Sequence, residues 1–302
     1  MSDRRRILLA MAGSSLLTVP PLRAQVLPGT GTGTGKGVSF PVADPREDPR
    51  RVYPLQLLQL VLEQSGREPR VEERYHYTQL RAMAELRQGR LDVTMVTRRD
   101  LPASEGLVVP IPLRRGLLGL RLLLCRAERA QTLSQLRDLS ELKALGLGYG
   151  IDWTDRPVFE RLGFKVVSAS NYAGLFGMLQ ARRSDYLSRG LNEIWEELAN
   201  GKLVGAGLAV VPGLGLRYPL DDYFVVRPDA PELAEALQLG LQNALRNGSY
   251  QRLFDEHFSQ ALRRAALHER RLLRVDGYPE DELVELAQQQ LLAPLSGKLK
   301  KT

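Results

Sequence analysis

The stretch Leu86-Arg87-Gln88-Gly89-Arg90-Leu91-Asp92-Val93-Thr94-Met95-Val96-Thr97-Arg98-Arg99 holds a boundary between a helix and a strand. A helix reaching Gln88 meets Gly89, which can take the left-handed conformation that ends helices. Leu91, Val93 and Met95 alternate with Asp92 and Thr94 before an apolar run closes at Thr97, the pattern of a strand in a covered sheet. Two arginines follow at the carboxyl end of that strand, where open α/β sheets bind ligands. The pattern recurs at Leu179-Gln180-Ala181-Arg182-Arg183-Ser184-Asp185-Tyr186-Leu187, with the same Leu-to-Asp spacing and with Arg189 just beyond. Two such units, far apart in one chain, predict two α/β lobes facing each other.

Length and charge agree with this division. A chain of 302 residues can bury one large core or two medium ones. The formal charge of +7 is concentrated at the ends. Residues 1–24 carry Arg4, Arg5, Arg6 and Arg23 against Asp3, and Lys298, Lys300 and Lys301 lie in the tail. The body is close to neutral, so no nucleic-acid partner is expected. The single cysteine, Cys125, follows Leu122-Leu123-Leu124 and reads as a buried strand residue.

Arg4-Arg5-Arg6, an apolar run from Ile7 to Val19 and Leu22-Arg23-Ala24 read as an export signal over 1–24, twin-arginine-like or of the general secretory type. No cysteine stands near the cleavage point, so a soluble, monomeric periplasmic protein is expected rather than a lipoprotein. Residues 25–37 form a Gly/Thr linker. Its Gly29-Thr30-Gly31-Thr32-Gly33-Thr34-Gly35-Lys36-Gly37 fails the phosphate-loop pattern at Thr30 and Gly37, and no strand precedes it. Beyond it, 38–113 and 221–292 are assigned to lobe 1 and 114–220 to lobe 2, with a basic tail over 293–302. Strand and helix patterns alternate from Val38 onward. The run from Ile111 to Leu124 reads as one long crossing strand, and Tyr218 to Val226 as the return crossing. Helices Pro231–Arg246, Ser249–Phe258 and Leu283–Leu292 close lobe 1.

The element order resembles the family-3 extracellular solute-binding proteins, from about Val38 to Phe258. The segments that carry the likeness are Asp48-Pro49-Arg50…Tyr53-Pro54-Leu55 and Ile111-Pro112-Leu113-Arg114-Arg115-Gly116-Leu117-Leu118-Gly119. Gly148-Tyr149-Gly150-Ile151-Asp152-Trp153 and Ser188-Arg189-Gly190-Leu191-Asn192-Glu193-Ile194 complete the set. It is similar to a branch of that family whose ligands are generally unassigned. The resemblance implies two Rossmann-like lobes joined by two crossing strands, the type II periplasmic-binding architecture. Amino-acid binders of the family usually carry Arg where this chain has Ser104 and Asp where it has Gly190.

Asp48 and Arg50, in the loop after the first strand, could face a ligand or pair with each other in a surface turn. Arg98 and Arg99 leave the opening strand together, and alternation turns at most one of them toward a ligand. Arg115 could serve ligand and hinge, with Arg114 covering the outside. Asp152, Trp153 and Thr154 occupy a strand-to-helix loop, where helix amides can bind an anion and the indole can form an apolar wall or join the core. Arg189 ends the echo strand and suits bidentate recognition of an anion; its rival role is an internal ion pair with Glu193. His76, His257 and His268 have no metal-ligand spacing, and no cofactor is expected. Asp221-Asp222 and Glu196-Glu197 read as solvated pairs.

These readings point to a periplasmic protein that captures a small anionic or zwitterionic solute between two lobes for an ABC importer or a sensor. The alternatives are a secreted dehydratase-like enzyme on the same fold, the sensing half of a regulator, or a degenerate domain acting through a protein partner. The enzyme would need a carboxylate with a raised pKa among apolar walls.

Overall fold

A computed structural model describes residues 37–42, 52–75, 79–97, 101–151, 153, 155–201, 204 and 206–293. The chain runs β1 (Val38–Pro41), α1 (Val52–Gln64), β2 (Val71–Arg74), α2 (Gln79–Arg87), β3 (Val93–Val96) and β4 (Leu107–Val108). It continues through β5 (Leu120–Arg126), α3 (Ala130–Ser134), α4 (Leu139–Lys143), β6 (Gly146–Gly150), α5 (Arg156–Arg161), β7 (Lys165–Ala169), α6 (Tyr172–Gln180) and β8 (Tyr186–Gly190). Last come α7 (Ile194–Ala199), β9 (Leu208–Arg217), β10 (Tyr223–Val226), α8 (Pro231–Asn247), α9 (Ser249–Ala265), β11 (Arg271–Arg274) and α10 (Glu282–Leu292). No helix among the described residues is long and apolar enough to cross a membrane.

The chain divides into two compact units. Unit 1 holds the described residues up to 96 together with 101–111 and 224–253. Here β1 and β2 pair in parallel, Val38 opposite Val71, while β10 lies between β3 and β4 and runs antiparallel to β4. Helix α1 buries Leu57, Leu58, Val61 and Leu62, a single apolar face at helical spacing. Helix α8 begins with Pro231 and ends at Gly248, whose φ of 78° forms the left-handed stop. It packs along α1 so closely that a Cβ on Gly240 would collide with the Val61 carbonyl oxygen.

Asp92 fastens this unit at the amino ends of its strands. Its carboxylate accepts from the Ser39 backbone N–H at 2.9 Å and the Ser39 hydroxyl at 2.7 Å. That hydroxyl in turn accepts from the Asp92 N–H at 2.9 Å, and Arg227 approaches the other carboxylate oxygen at 3.3 Å. One side chain thus joins β1, β3 and the segment leaving β10.

Unit 2 holds 112–223 and 254–293. Its sheet has the order β11-β9-β5-β8-β6-β7. Strand β6 is parallel to β7 and β8, β5 is antiparallel to β8 and β9, and β11 is parallel to β9. Cys125 lies fully buried in β5, and burial pushes its thiol up to about 11. Phe159 of α5 is the hub of the aromatic core. Its ring lies 5.2 Å from Tyr149, 5.0 Å from Phe164, 5.4 Å from Tyr218 and 6.0 Å from Tyr278. Asp185 repeats the role of Asp92: its carboxylate accepts from the Gly146 N–H at 2.7 Å and its own N–H donates to the Gly146 carbonyl at 2.7 Å.

Three expectations change. The run from Ile111 to Leu124 is not one strand. Arg115 and Gly116 both have positive φ, 56° and 76°, and a turn of 3-10 helix covers Leu117–Gly119 before β5 begins. Residues 254–292 belong to unit 2 rather than lobe 1, because β11 adds to the unit 2 sheet beside β9; the chain therefore crosses again at Leu253/Phe254 within α9. Finally, β9 shows no strand pattern in sequence, since Pro212 and Gly213 interrupt it. They form a bulge across which the partner of β5 jumps from Gly215 at Leu122 to Val210 at Leu124.

The Asp92 assembly makes a measurable claim. Asp92→Ala strands two donors at Ser39 and removes one of the two carboxylates paired with Arg227, at a cost of about 1–3 kcal/mol. Urea unfolding followed by a unit 1 probe checks this. Ser39→Ala leaves the carboxylate its backbone donor and should cost less.

Candidate functional site

Because β6, β7 and β8 of unit 2 are mutually parallel, their carboxyl ends share one edge of the sheet. The segments leaving that edge carry Trp153, Tyr172 and Glu193, and Arg189 stands one residue before the end of β8. This is the edge at which α/β sheets place ligand-contacting loops.

Arg189 organises the edge from within. Only 1% of it is exposed. Its Nε donates to both oxygens of Glu197, at 3.1 and 3.0 Å, and its Nη2 reaches Glu197 again, Glu193 at 2.9 Å and the Tyr172 hydroxyl at 3.4 Å. The Tyr172 hydroxyl donates to Glu197. The guanidinium carbon lies 5.1 Å from the Trp153 ring centre and 5.5 Å from that of Tyr172. Burial alone would lower the Arg189 pKa, but Glu197 and Glu193 beside it hold it well above the ordinary value. Arg121, also buried, feels the opposing carboxylate of Glu193 and the hydroxyls of Tyr218 and Tyr149, and its pKa rises despite desolvation.

The internal ion pair expected as the rival role of Arg189 is present: a guanidinium enclosed by two carboxylates and two aromatic rings has its charge balanced inside the unit. Glu193 is likewise occupied, by Arg189 and by the Gly190 N–H at 3.3 Å. Gly190 leaves space that the side chains of Asn192 and Glu193 occupy. A Cβ there would lie 2.8 Å from the Asn192 amide oxygen and 3.2 Å from the Glu193 carboxyl. A side chain there would require Asn192 and Glu193 to move aside.

Trp153 is half-buried, edge-on to Tyr149 with ring centres 4.7 Å apart, so it joins the core border while stacking on Arg189. Arg115 and Arg114 exchange their expected places. Arg114 is the buried one, its Nε 2.9 Å from Asp222, whereas Arg115 is partly exposed and lies 5.3 Å over the Phe254 ring. Asp48, Arg50, Arg98, Arg99, Asp152 and Thr154 lie outside the described residues, as does His76.

Of the pairs read as solvated, only Glu196 is exposed. Glu197, Asp221 and Asp222 are all buried. Glu197 lies on the inner face of α7 three residues after buried Ile194, a spacing that could have revealed it. Asp221 accepts from the N–H groups of Arg114, Gly116 and Asp222. Burial pushes its carboxyl up to about 8, while the Gly116 N–H and Arg114 act in the opposite sense. Asp155, at the start of α5, is the raised carboxylate nearest the candidate edge: desolvation lifts it, and Tyr149 and Arg121 pull it back. Among the described residues no group of three or more His, Cys, Asp or Glu could hold a metal ion. A recess of about 590 Å³ in unit 1 is lined by Arg67, Asp92, Arg227 and Glu232. It lies at the amino ends of β1 and β3, and its arginines are engaged by Asp92, Asp229 and the Glu232 carbonyl.

No protein-family model matches the sequence, and no curated protein does. Solved structures do match. A GluR0 ligand-binding core in complex with L-glutamate is 16% identical with a TM-score of 0.56, covering 74% of this chain and 99% of its own. An ancestral arginine-binding protein bound to arginine is 16% identical with a TM-score of 0.54, over 74% and 98%. A histidine kinase sensor domain with similarity to periplasmic binding proteins is 16% identical with a TM-score of 0.56, over 74% and 96%. The fold is that of the type II periplasmic binding proteins. The periplasmic-binding fold expected from the sequence is thus the one observed, on a chain whose identity to these neighbours is low.

The enclosure of Arg189 carries a prediction about stability. Arg189→Ala leaves the buried Glu197 without its guanidinium partner and should cost about 3–5 kcal/mol. A thermal melt of the variant reads the loss. A melting temperature within a degree of the parent would contradict the assignment.

Proposed function

We propose that this chain is an exported binding protein that captures a small anionic or zwitterionic solute and presents it to a membrane permease or a sensor. The observation that carries the reading is the extent of the fold match: nearly the full length of ligand-binding and sensor domains is reproduced. The export signal read over 1–24 supports a periplasmic location. With Arg189 and Glu193 engaged internally, the proposed contacts are Asp48, Arg50, Arg98, Arg99, Asp152 and Thr154, with Trp153 and Arg115 at their margin. Four of these eight are arginines, which is the basis for an anionic group on the ligand. The mechanism is binding without chemistry: a ligand with higher affinity for one conformation shifts the population toward it.

Asp155 is the observation that favours the enzyme alternative, since its pKa is raised by burial. Arg121 and the Tyr149 hydroxyl beside it are not the apolar walls a dehydratase-like acid would need.

Purified protein spanning 25–302, screened by thermal shift against amino acids, organic anions and peptidoglycan fragments, should be stabilised by its ligand. At a ligand concentration of 100 times Kd the gain is about 2.7 kcal/mol. Arg98→Ala or Arg99→Ala should diminish that shift without lowering the ligand-free melting temperature. A compound that is consumed during the assay would overturn the binding-only reading in favour of the enzyme.

A further inference from the structure

The chain passes between the two units at Ile111/Pro112 and at Tyr223/Phe224. The unit 2 sides of these crossings, residues 112–119 and 218–223, are tied to each other. The Leu113 N–H donates to the Asp222 carbonyl at 2.9 Å, the Tyr218 N–H donates to the Gly119 carbonyl at 3.1 Å, and Asp221 gathers the N–H groups of Arg114 and Gly116. Residues 112–119 and 218–222 are not strand, and these bonds, with the Arg114–Asp222 ion pair, hold them together.

Helix α10 is seated across both. Gln288, 2% exposed, donates from its amide nitrogen to the Gly116 carbonyl and to the Tyr218 carbonyl, each at 2.8 Å. One side chain therefore bridges the outgoing and the returning segment. At the other end of the helix, Asp281 caps α10 through the N–H groups of Leu283 and Val284 and also accepts from the Tyr223 hydroxyl. Tyr223 is the last unit 2 residue before the return crossing. Gly116, at φ 76°, lies so close beneath the helix that a Cβ would stand 2.8 Å from the Val284 carbonyl oxygen. Arg115 extends the set toward the crossing within α9 by stacking on Phe254.

A buried glutamine is an unusual choice for this contact. A leucine would fill the same space at no desolvation cost, whereas an amide is favourable only when its partners are held in register. The two carbonyls it reads come from different crossings, so its hydrogen bonds are satisfied in one relative arrangement of the two segments.

We propose that α10 is a strap on the crossing segments, which fixes their arrangement and so limits the movement of one unit about the other. The proposal does not depend on which ligand is bound, or on whether one is.

The test uses the full-length mature protein carrying spin labels at Glu63→Cys in unit 1 and Gln131→Cys in unit 2, both exposed positions; Cys125 is buried and stays unlabelled. The distance distribution between labels and the hydrogen exchange of 112–119 and 218–223 are read without ligand. Gln288→Leu should raise exchange in both segments at least tenfold and widen the distribution, while exchange in β6 and β8 is unchanged. Tyr223→Phe, which removes only the hydroxyl that reaches Asp281, should give the same result in smaller measure and serves if the first variant does not fold. Faster exchange with an unchanged distribution would overturn the proposal, and so would unchanged exchange in a folded variant.

Discussion

A parallel strand begins where a helix has just ended, and its first peptide groups need partners before the ladder can supply them. Both units meet this need with an aspartate placed immediately before the strand. Asp92 reaches the backbone of β1 and Asp185 reaches the backbone of β6. The alternating residues that follow each aspartate can face the core only if the strand starts in the correct register, since a shift of one residue would turn every side chain to the wrong face. The placement of all that lies at the carboxyl ends follows from this fastening at the amino ends. Arg189 stands four residues beyond Asp185, and its burial depends on the phase that Asp185 sets.

The carboxyl edge of unit 2 shows how a charge that looks like a ligand contact in sequence can already be enclosed by internal partners in structure. Arg189 satisfies every sequence criterion for a binding residue: a strand end, a following loop and a guanidinium. What decides its role is Glu197, eight residues on, together with Tyr172 from a different element. A buried cation needs a counter-charge in place at all times, and a transient solute cannot provide it. Unit 2 therefore supplies its own carboxylates, and Gly190 leaves the space that they require.

The fold was legible in the chain because it rests on local signals. The alternation of strand and helix patterns from Val38 onward and the paired Leu-to-Asp spacing pointed to two α/β units. The elements that escaped notice are those whose identity is set by distant partners. Strand β9 hides behind Pro212 and Gly213, and β11 becomes a strand only because β9 offers it an edge. The C-terminal segment was assigned to the wrong unit for the same reason. The site was less legible than the fold. Arg114 and Arg115 differ in nothing local, and it is the positive φ at Arg115 and the carboxylate of Asp222 that send one inward and the other outward. Glu197, Asp221 and Asp222 were masked because adjacent acidic residues read as exposed pairs.

The position of β11 also bears on how long the molecule survives. This short strand pairs with Leu214–Arg217 and caps one margin of the unit 2 sheet. A cut between α9 and β11 would free the outer side of those residues, a row of unpaired amides and carbonyls flanked by leucines. Such an edge is a template for association with other chains. β11 thus covers an edge of the unit 2 sheet that would otherwise be open to association.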